Sequence, residues 1–416
     1  MTQLEPKSAR MLGFRCVACD ATHSYEPQPY RCSSCGGILD VIWDDERIAR
    51  SFSRELLRSR RERNIWRYRE LLPVESTRHL TPLRVGGTPL YTVPALRRRF
   101  DFESLWVKDD GLNPTGSYKD RASAVGVAAA LDAGARVGAC ASTGNAASSF
   151  AGLGASMGLE TILFLPGFAP APKVTQLLVY GARVFSVDGD YDQTYDLCEQ
   201  AIARYGWYNR NAAVNPFLVE GKKTAALEIA EDLDFEPPDV CIASVGDGCI
   251  VSSLHKGFHQ LHSLALTTRV PRLIGVQAAA ADPLVRAFES GEALRPLRAG
   301  SYADSINVGT PRNGLKALEA IRRSGGAFVR VEDDAIREAQ RQLARGAGVF
   351  GEPAGVAAFA GLHAARERGL LGPRERIVVV VSGNGLKDVE GARSAVGSVT
   401  PVRAEIADLR QHLERA

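Results

Sequence analysis

The chain has 416 residues, 45% of them apolar and 24% charged, and a formal net charge of +3. That length exceeds one simple core, so two or three domains are expected, with the composition of a globular enzyme rather than a disordered or fibrous chain. The charge is too small to argue for nucleic acid, and no apolar run reaches membrane-spanning length or forms a secretory h-region. A cytoplasmic protein with a small-molecule substrate is expected, without nucleic-acid or membrane partners.

Residues 1–10 read as a polar tail. Cys16-x2-Cys19 and Cys32-x2-Cys35 follow as paired knuckles separated by 12 residues. In a reducing compartment two such pairs fit a tetrahedral structural zinc site, and Gly36-Gly37 permits a tight turn after the second pair. Two disulfides or four incidental thiols are the other readings. Cys140, Cys198, Cys241 and Cys249 are isolated, and the first and third lie in apolar runs where buried thiols are common. Residues 43–80 are rich in Arg and Glu and read as helical, with the Arg58–Arg63 run and Arg97-Arg98-Arg99 as solvated helix faces. Gly86-Gly87-Thr88-Pro89-Leu90 is a turn into the main body.

From there short apolar runs alternate with helical patterns. Strands are expected at 105–108, 137–140, 161–165, 184–187, 240–244, 273–276 and 377–381. Helices are expected at 119–133, 146–157, 173–180 and 191–205. Such alternation implies βαβ units and parallel sheets, with ligands at the strand carboxyl ends.

Four of those strand ends carry unusual loops. Asn113-Pro114-Thr115-Gly116-Ser117-Tyr118-Lys119-Asp120-Arg121 sets a lysine at the mouth of a helix, where it can form a Schiff base with an aldehyde cofactor or stand as an ordinary exposed lysine. Ser142-Thr143-Gly144-Asn145 offers helix-start amides and two hydroxyls, suited to a carboxylate or to capping the helix. Ser244-Val245-Gly246-Asp247-Gly248 lets the backbone approach a phosphate, or makes a plain turn. Ser382-Gly383-Asn384-Gly385-Leu386-Lys387-Asp388 closes the most β-branched strand, and its hydroxyl can meet a heterocycle nitrogen or cap the next helix. No H-E-x-x-H, G-x-S-x-G, G-x-x-x-x-G-K-[ST] or helix-opening G-x-G-x-x-G loop is present.

These four loops in this order resemble the threonine synthase branch of the fold-type II pyridoxal-phosphate (PLP) enzymes. The resemblance runs from Cys16 to Asp388 and includes Gly86–Leu90 and Gly348-Val349-Phe350-Gly351-Glu352-Pro353-Ala354-Gly355. It implies two doubly wound α/β parallel-sheet domains with an N-terminal zinc ribbon (11–42), and a homodimer. Residues 43–123 would start the cofactor domain, 124–215 would form a smaller domain closing over the substrate, and 216–400 the large cofactor domain. Lys119 would anchor PLP and move protons, and Asn145 would bond the cofactor 3′-oxygen. Gly246, Asp247 and Gly248 would hold its phosphate, Ser382 would meet the ring nitrogen, and Ser142, Thr143, Gly144 and Asn145 would cradle the substrate carboxylate.

The chain departs from that pattern where threonine synthases hold the phosphate of O-phosphohomoserine. Motif spacing puts Ala146, Ala213, Leu218 and Asp247 at those positions, so two hydroxyls, a guanidinium and an amide are replaced by groups that cannot neutralise a dianion. Asn384 likewise stands where the family usually has histidine. A lyase acting on another amino acid is the leading expectation, by α-proton removal and β-elimination or replacement through an aminoacrylate-type intermediate. Asp247 is a candidate contact for a cationic side chain. The alternatives are a threonine synthase whose phosphate pocket is rebuilt from Lys222, Lys223, Arg312 or Arg210, and a non-catalytic binding protein. The loop 305–311 matches a family segment near the substrate.

Overall fold

The computed structural model describes residues 6–26, 30–75, 77–142, 144–167, 171–189 and 191–414. A small antiparallel sheet of order β2-β1-β3 begins the chain, with β1 at Met11–Cys16, β2 at Thr22–His23 and β3 at Leu39–Trp43. It presents the four knuckle cysteines at one end. β4 (Leu90–Thr92) and β5 (Ser104–Asp109) lead into a six-stranded sheet completed by β10 (Val240–Ser244), β11 (Arg272–Ala278), β12 (Ala327–Val331) and β13 (Arg376–Val381). Its order is β12-β11-β10-β13-β5-β4, parallel except for the edge strand β4. β10 and β13 lie at its centre and read as unbroken apolar runs because both faces are covered by helices.

A second, four-stranded parallel sheet has the order β8-β7-β6-β9. It consists of β6 (Val137–Ala141), β7 (Glu160–Pro166), β8 (Arg183–Val187) and β9 (Tyr208–Asn209). Six helices matter for the site: α1 (Lys119–Asp132), α2 (Asn145–Met157), α3 (Tyr191–Tyr205), α4 (Phe217–Lys222), α5 (Cys249–Ser263) and α6 (Pro353–Glu367). α1 is Ala-rich and buried from Asp120 to Ala130, so it is a core helix rather than an amphipathic surface one. α4 packs on it backbone to backbone: a Cβ on Gly221 would lie 2.1 Å from the Arg121 carbonyl oxygen.

The expected strands and helices appear within a few residues of their predicted bounds, and the α/β class with parallel sheets holds. Three details differ. Arg10 is no part of a free tail: it is buried and donates to the carbonyls of Arg69, Glu70, Leu72 and Val74. The helix Arg54–Ser59 stops before most of the arginine run, with Arg60 extended and paired to Glu70. β12, a five-residue edge strand, escapes an apolar-run reading because the exposed Arg330 interrupts it. Among the described residues no helix is long and apolar enough to cross a membrane.

Candidate active site

The loops after β5, β6, β10 and β13 meet in one cleft. It holds a compartment of about 580 Å³ joined to one of about 60 Å³, and Lys119, Ala212, Asp247 and Ser305 line both. Lys119 is placed by its neighbours. The Tyr118 amide donates to the Ser382 carbonyl at 2.9 Å, the Asn384 amide donates to Gly116 at 2.9 Å, and Ser117 and Gly383 form an antiparallel bridge. The lysine loop and the β13 loop are thus zipped together, which fixes Lys119 and Ser382 in the same small compartment.

Gly246, Asp247, Gly248 and Cys249 form another wall of that compartment, at the N-terminus of the 15-residue α5. Gly248 has φ +90°, and a Cβ there would meet the Ala317 Cβ at 2.6 Å. Free helix-start amides facing a cavity favour an anion. On the opposite side, Asn145 donates to Glu352 Oε1 at 2.7 Å, and the Glu352 amide donates to Gly383 at 2.9 Å. A Cβ on Gly383 would fall 2.1 Å from that carboxylate, so a side chain there would displace Glu352 from Asn145.

The larger compartment is walled by Ser142, Gly144, Asn145 and Ala146 at the start of α2, and by the loop from Asp304 to Arg312. The Ser142 hydroxyl accepts from the Gly144 amide at 3.2 Å. Thr143 lies outside the described residues. Across the compartment, Arg312 pairs with Asp192 of α3 at 3.1 Å and stacks on the Tyr195 ring at 4.3 Å from its centroid.

Charge is unevenly placed around Lys119. Loss of water lowers its ammonium pKa to about 8, with Lys222 and then Arg210 adding repulsion while Glu352 opposes them. The Tyr118 hydroxyl donates to the Lys222 carbonyl at 2.8 Å, tying the end of α4 to the start of α1. Burial, above all, also holds the Lys222 ammonium below its ordinary range.

Of the four positions assigned by motif spacing to a second phosphate, Ala146 and Asp247 line the cleft; Ala213 and Leu218 line neither compartment. Leu218 packs on Gly126 of α1, where a Cβ would lie 2.7 Å from its methyl. Asp247 Oδ1 accepts from the Arg312 amide at 3.1 Å. Lys223 faces away, paired with Glu220 at 2.5 Å. Asn384 caps its own turn by accepting from the Leu386 amide at 3.0 Å. Glu352 carried no role in the sequence reading, although it sits inside the Gly348–Gly355 motif. Asp192, Tyr195 and Cys249 gave no signal at all.

The four knuckle thiols are free and converge, with Sγ atoms within 4.8 Å of one another. Cys16–Cys35 and Cys19–Cys32 are 3.4 and 3.7 Å apart, too far for disulfides of about 2.05 Å. They lie close to the roughly 3.8 Å edge of a tetrahedron with metal–sulfur bonds of about 2.3 Å.

Comparison with known proteins agrees with this geometry. The family described as "Pyridoxal-phosphate dependent enzyme" matches residues 81–383. The threonine synthase of Methanocaldococcus jannaschii is 40% identical over 394 residues, covering 94% of this chain and 96% of the relative. That of Methanosarcina acetivorans is 38% identical over 404 residues, covering 96% and 98%. Among solved structures, a PLP-dependent aspartate racemase superposes with a TM-score of 0.65 at 21% identity, covering 74% of this chain and 92% of that one. Diaminopropionate ammonia lyase from Escherichia coli gives 0.64 at 18% identity, covering 74% and 87%. At such identities these two speak for the fold alone. The chain belongs to the PLP-dependent enzymes of fold type II and, within them, to the threonine synthase family.

Proposed function

We propose that the chain is a PLP-dependent amino-acid lyase that removes an α-proton and then eliminates or replaces a β-substituent, on a substrate other than O-phosphohomoserine. The observation that carries this reading is Lys119, held at the junction of a small anion-ready compartment and a larger one that opens onto the α2 N-terminus. The residues fit the cofactor. Gly246, Asp247 and Gly248 wall the smaller compartment at the start of α5, where helix-start amides favour an anion, and Lys222 lines the same space.

In this reading the amides of 246–248 and Lys222 would hold the phosphate, Ser382 the ring nitrogen and Asn145 the 3′-oxygen. When bound, PLP supplies an electron sink for negative charge at the substrate α-carbon. The α2 amides and Ser142, with Thr143, bind the substrate carboxylate. Lys119 takes the α-proton, the bond from the β-carbon to its substituent breaks with the pair leaving on the substituent, and a nucleophile or water completes the reaction. The 124–215 unit closes over the substrate and excludes water, a role supported by the Asp192–Arg312 pair across the larger compartment.

The substrate preference rests on Ala146, which lines the larger compartment and offers a phosphate no partner. A threonine synthase proper is the second reading, favoured by the names of the relatives covering nearly the whole chain. Purified holoenzyme given O-phosphohomoserine should release neither threonine nor phosphate at a catalytic rate. Steady release of both would decide for the second reading.

Two further outcomes are expected of the cofactor site. Gly248→Ala places a side chain at φ +90° against Ala317, a strain of about 1–3 kcal/mol, and retention of PLP should weaken roughly ten- to hundredfold, measured by equilibrium dialysis. Only the neutral amine of Lys119 attacks an aldehyde. Because its pKa is lowered to about 8 from 10.5, the rate of cofactor capture should climb with pH and flatten above about 8, read by stopped-flow absorbance. Continued rise towards 10.5 would show an unperturbed lysine.

A structural zinc at Cys16, Cys19, Cys32 and Cys35 completes the reading: four thiolates leave no open position for catalysis. Metal analysis should give one zinc per chain, and chelation should expose four more reactive thiols.

A further inference from the structure

A second cavity, of about 340 Å³, shares no lining residue with the cleft around Lys119. It is a seam between the N-terminal ribbon, the flank of α5 and the helix Gly314–Arg323. Most of its charges are already matched. Asp40 of β3 is shared by Lys256 and Lys316 at 2.9 and 3.0 Å, and Glu319 by Arg323 and Arg15 at 3.2 and 3.6 Å. The polar atoms that remain fall into two groups of opposite character.

The first group donates. His255 and His259 stand one turn apart on α5, with ring centroids 5.8 Å apart. Among the described residues His255 forms no hydrogen bond or ion pair, and His259 bonds only the Ser263 hydroxyl at 3.4 Å. Arg323 spends its Nε on Glu319 and keeps both Nη groups without a partner. Burial, then His259 and Arg323, hold the His255 pKa down to about 4, with Asp40 opposing. Burial and Arg323 lower His259 as well, against Asp45. Both imidazoles therefore sit in a positive potential that an arriving carboxylate would relieve.

The second group accepts. Asp45, in the first turn of the helix Asp45–Ala49, pairs with no cation among the described residues, and its Oδ1 accepts from the Gln260 amide at 3.0 Å. That contact orients the amide and leaves Gln260 Oε1 buried without a hydrogen-bond partner, in a residue 4% exposed. A buried acceptor left empty costs about 1–3 kcal/mol unless a donor enters the cavity. Ile42, Val219 and Ala320 add an apolar wall.

We propose that this seam binds a free α-amino acid with an aliphatic side chain. Its carboxylate meets His255, His259 and Arg323, its ammonium meets Asp45 and Gln260 Oε1, and its hydrocarbon lies on Ile42, Val219 and Ala320. An anion alone would leave Asp45 and Gln260 without a donor. A cation alone would be repelled by Arg323. The proposal is independent of the reaction that the cleft performs.

Isothermal titration calorimetry of PLP-loaded, borohydride-reduced protein tests it, because reduction keeps an amino acid from joining the cofactor. L-valine and L-leucine are the ligands, with 2-hydroxyisovalerate, isobutylamine and inorganic phosphate as probes of each part alone. At least one amino acid should saturate a single site per chain, with a dissociation constant about tenfold or more below those of the probes. Arg323→Gln and His255→Gln should each weaken that binding about tenfold. The Arg323 side chain is 57% exposed, so its variant should keep the wild-type thermal transition. Absence of saturable binding by either amino acid overturns the site. So does binding that survives both substitutions together, which would place it elsewhere. Phosphate bound as tightly as the amino acids would make the seam a general anion site, and 2-hydroxyisovalerate bound as tightly would leave Asp45 without a role. Either result contradicts the proposal.

Discussion

Lys119→Ala is expected to lower turnover on the order of 10⁴-fold, because one side chain both anchors the cofactor and moves the substrate α-proton. The loss should fall on kcat rather than on fold. α1 begins at this residue, and alanine is the best helix former, so the thermal transition should shift little. Lys222 sits in the same small compartment with a lowered pKa of its own, but its carbonyl is bound by Tyr118 and its amine adjoins Cys249. Rescue of Lys119→Ala by a small exogenous amine would agree with a missing proton carrier. Near-normal turnover without rescue would mean that another residue does the work.

The largest effect on stability is expected from Arg121→Ala. This guanidinium is fully buried and donates to both oxygens of Asp110 at 2.6 and 2.8 Å and to both oxygens of Glu228 at 2.7 Å. It also reaches the Thr88 and Thr224 hydroxyls at 3.0 Å. Truncation leaves two buried carboxylates sharing little positive charge beyond Lys108, which lies 2.9 Å from Glu228. Breaking one side of such a buried arrangement costs about 3–5 kcal/mol. Arg121 lies two residues beyond Lys119, and the network joins the Thr88 turn, the end of β5, α1 and the helix Thr224–Asp232. Chemical denaturation should therefore begin at clearly lower urea, and cofactor retention should fall with it. An unchanged midpoint would show that the network is not under load.

The strand-end loops were legible because parallel sheets leave a strong pattern. Buried β-branched runs such as 377–381 stop abruptly at glycines and hydroxyls, so the positions of Lys119, Asn145, Gly246–Gly248 and Ser382 could be read before any fold was known. Their common cleft follows from the βαβ architecture. The rest depended on crossovers that sequence does not display. Glu352 reaches Asn145 across 207 positions of chain. Lys222 becomes a neighbour of Lys119 because α4 packs backbone to backbone on α1 at Gly221, and Arg210 because it follows β9, bonds Ala139 of β6 and reaches Ser123 of α1. Position alone was also misleading: Leu218 follows the Val-Asn-Pro segment as a substrate-facing residue would, yet it is spent on filling space over Gly126. Arg10 was hidden for a similar reason, as its carbonyl partners lie about sixty residues away.

The central claim is that Lys119, rather than any other lysine of the cleft, carries the cofactor. Borohydride reduction of the PLP-loaded protein, followed by proteolysis and mass spectrometry, tests it directly. A single phosphopyridoxyl group on the peptide containing Lys119 is the predicted result. Label on Lys222 or Lys223, or no stable label at all, would contradict it.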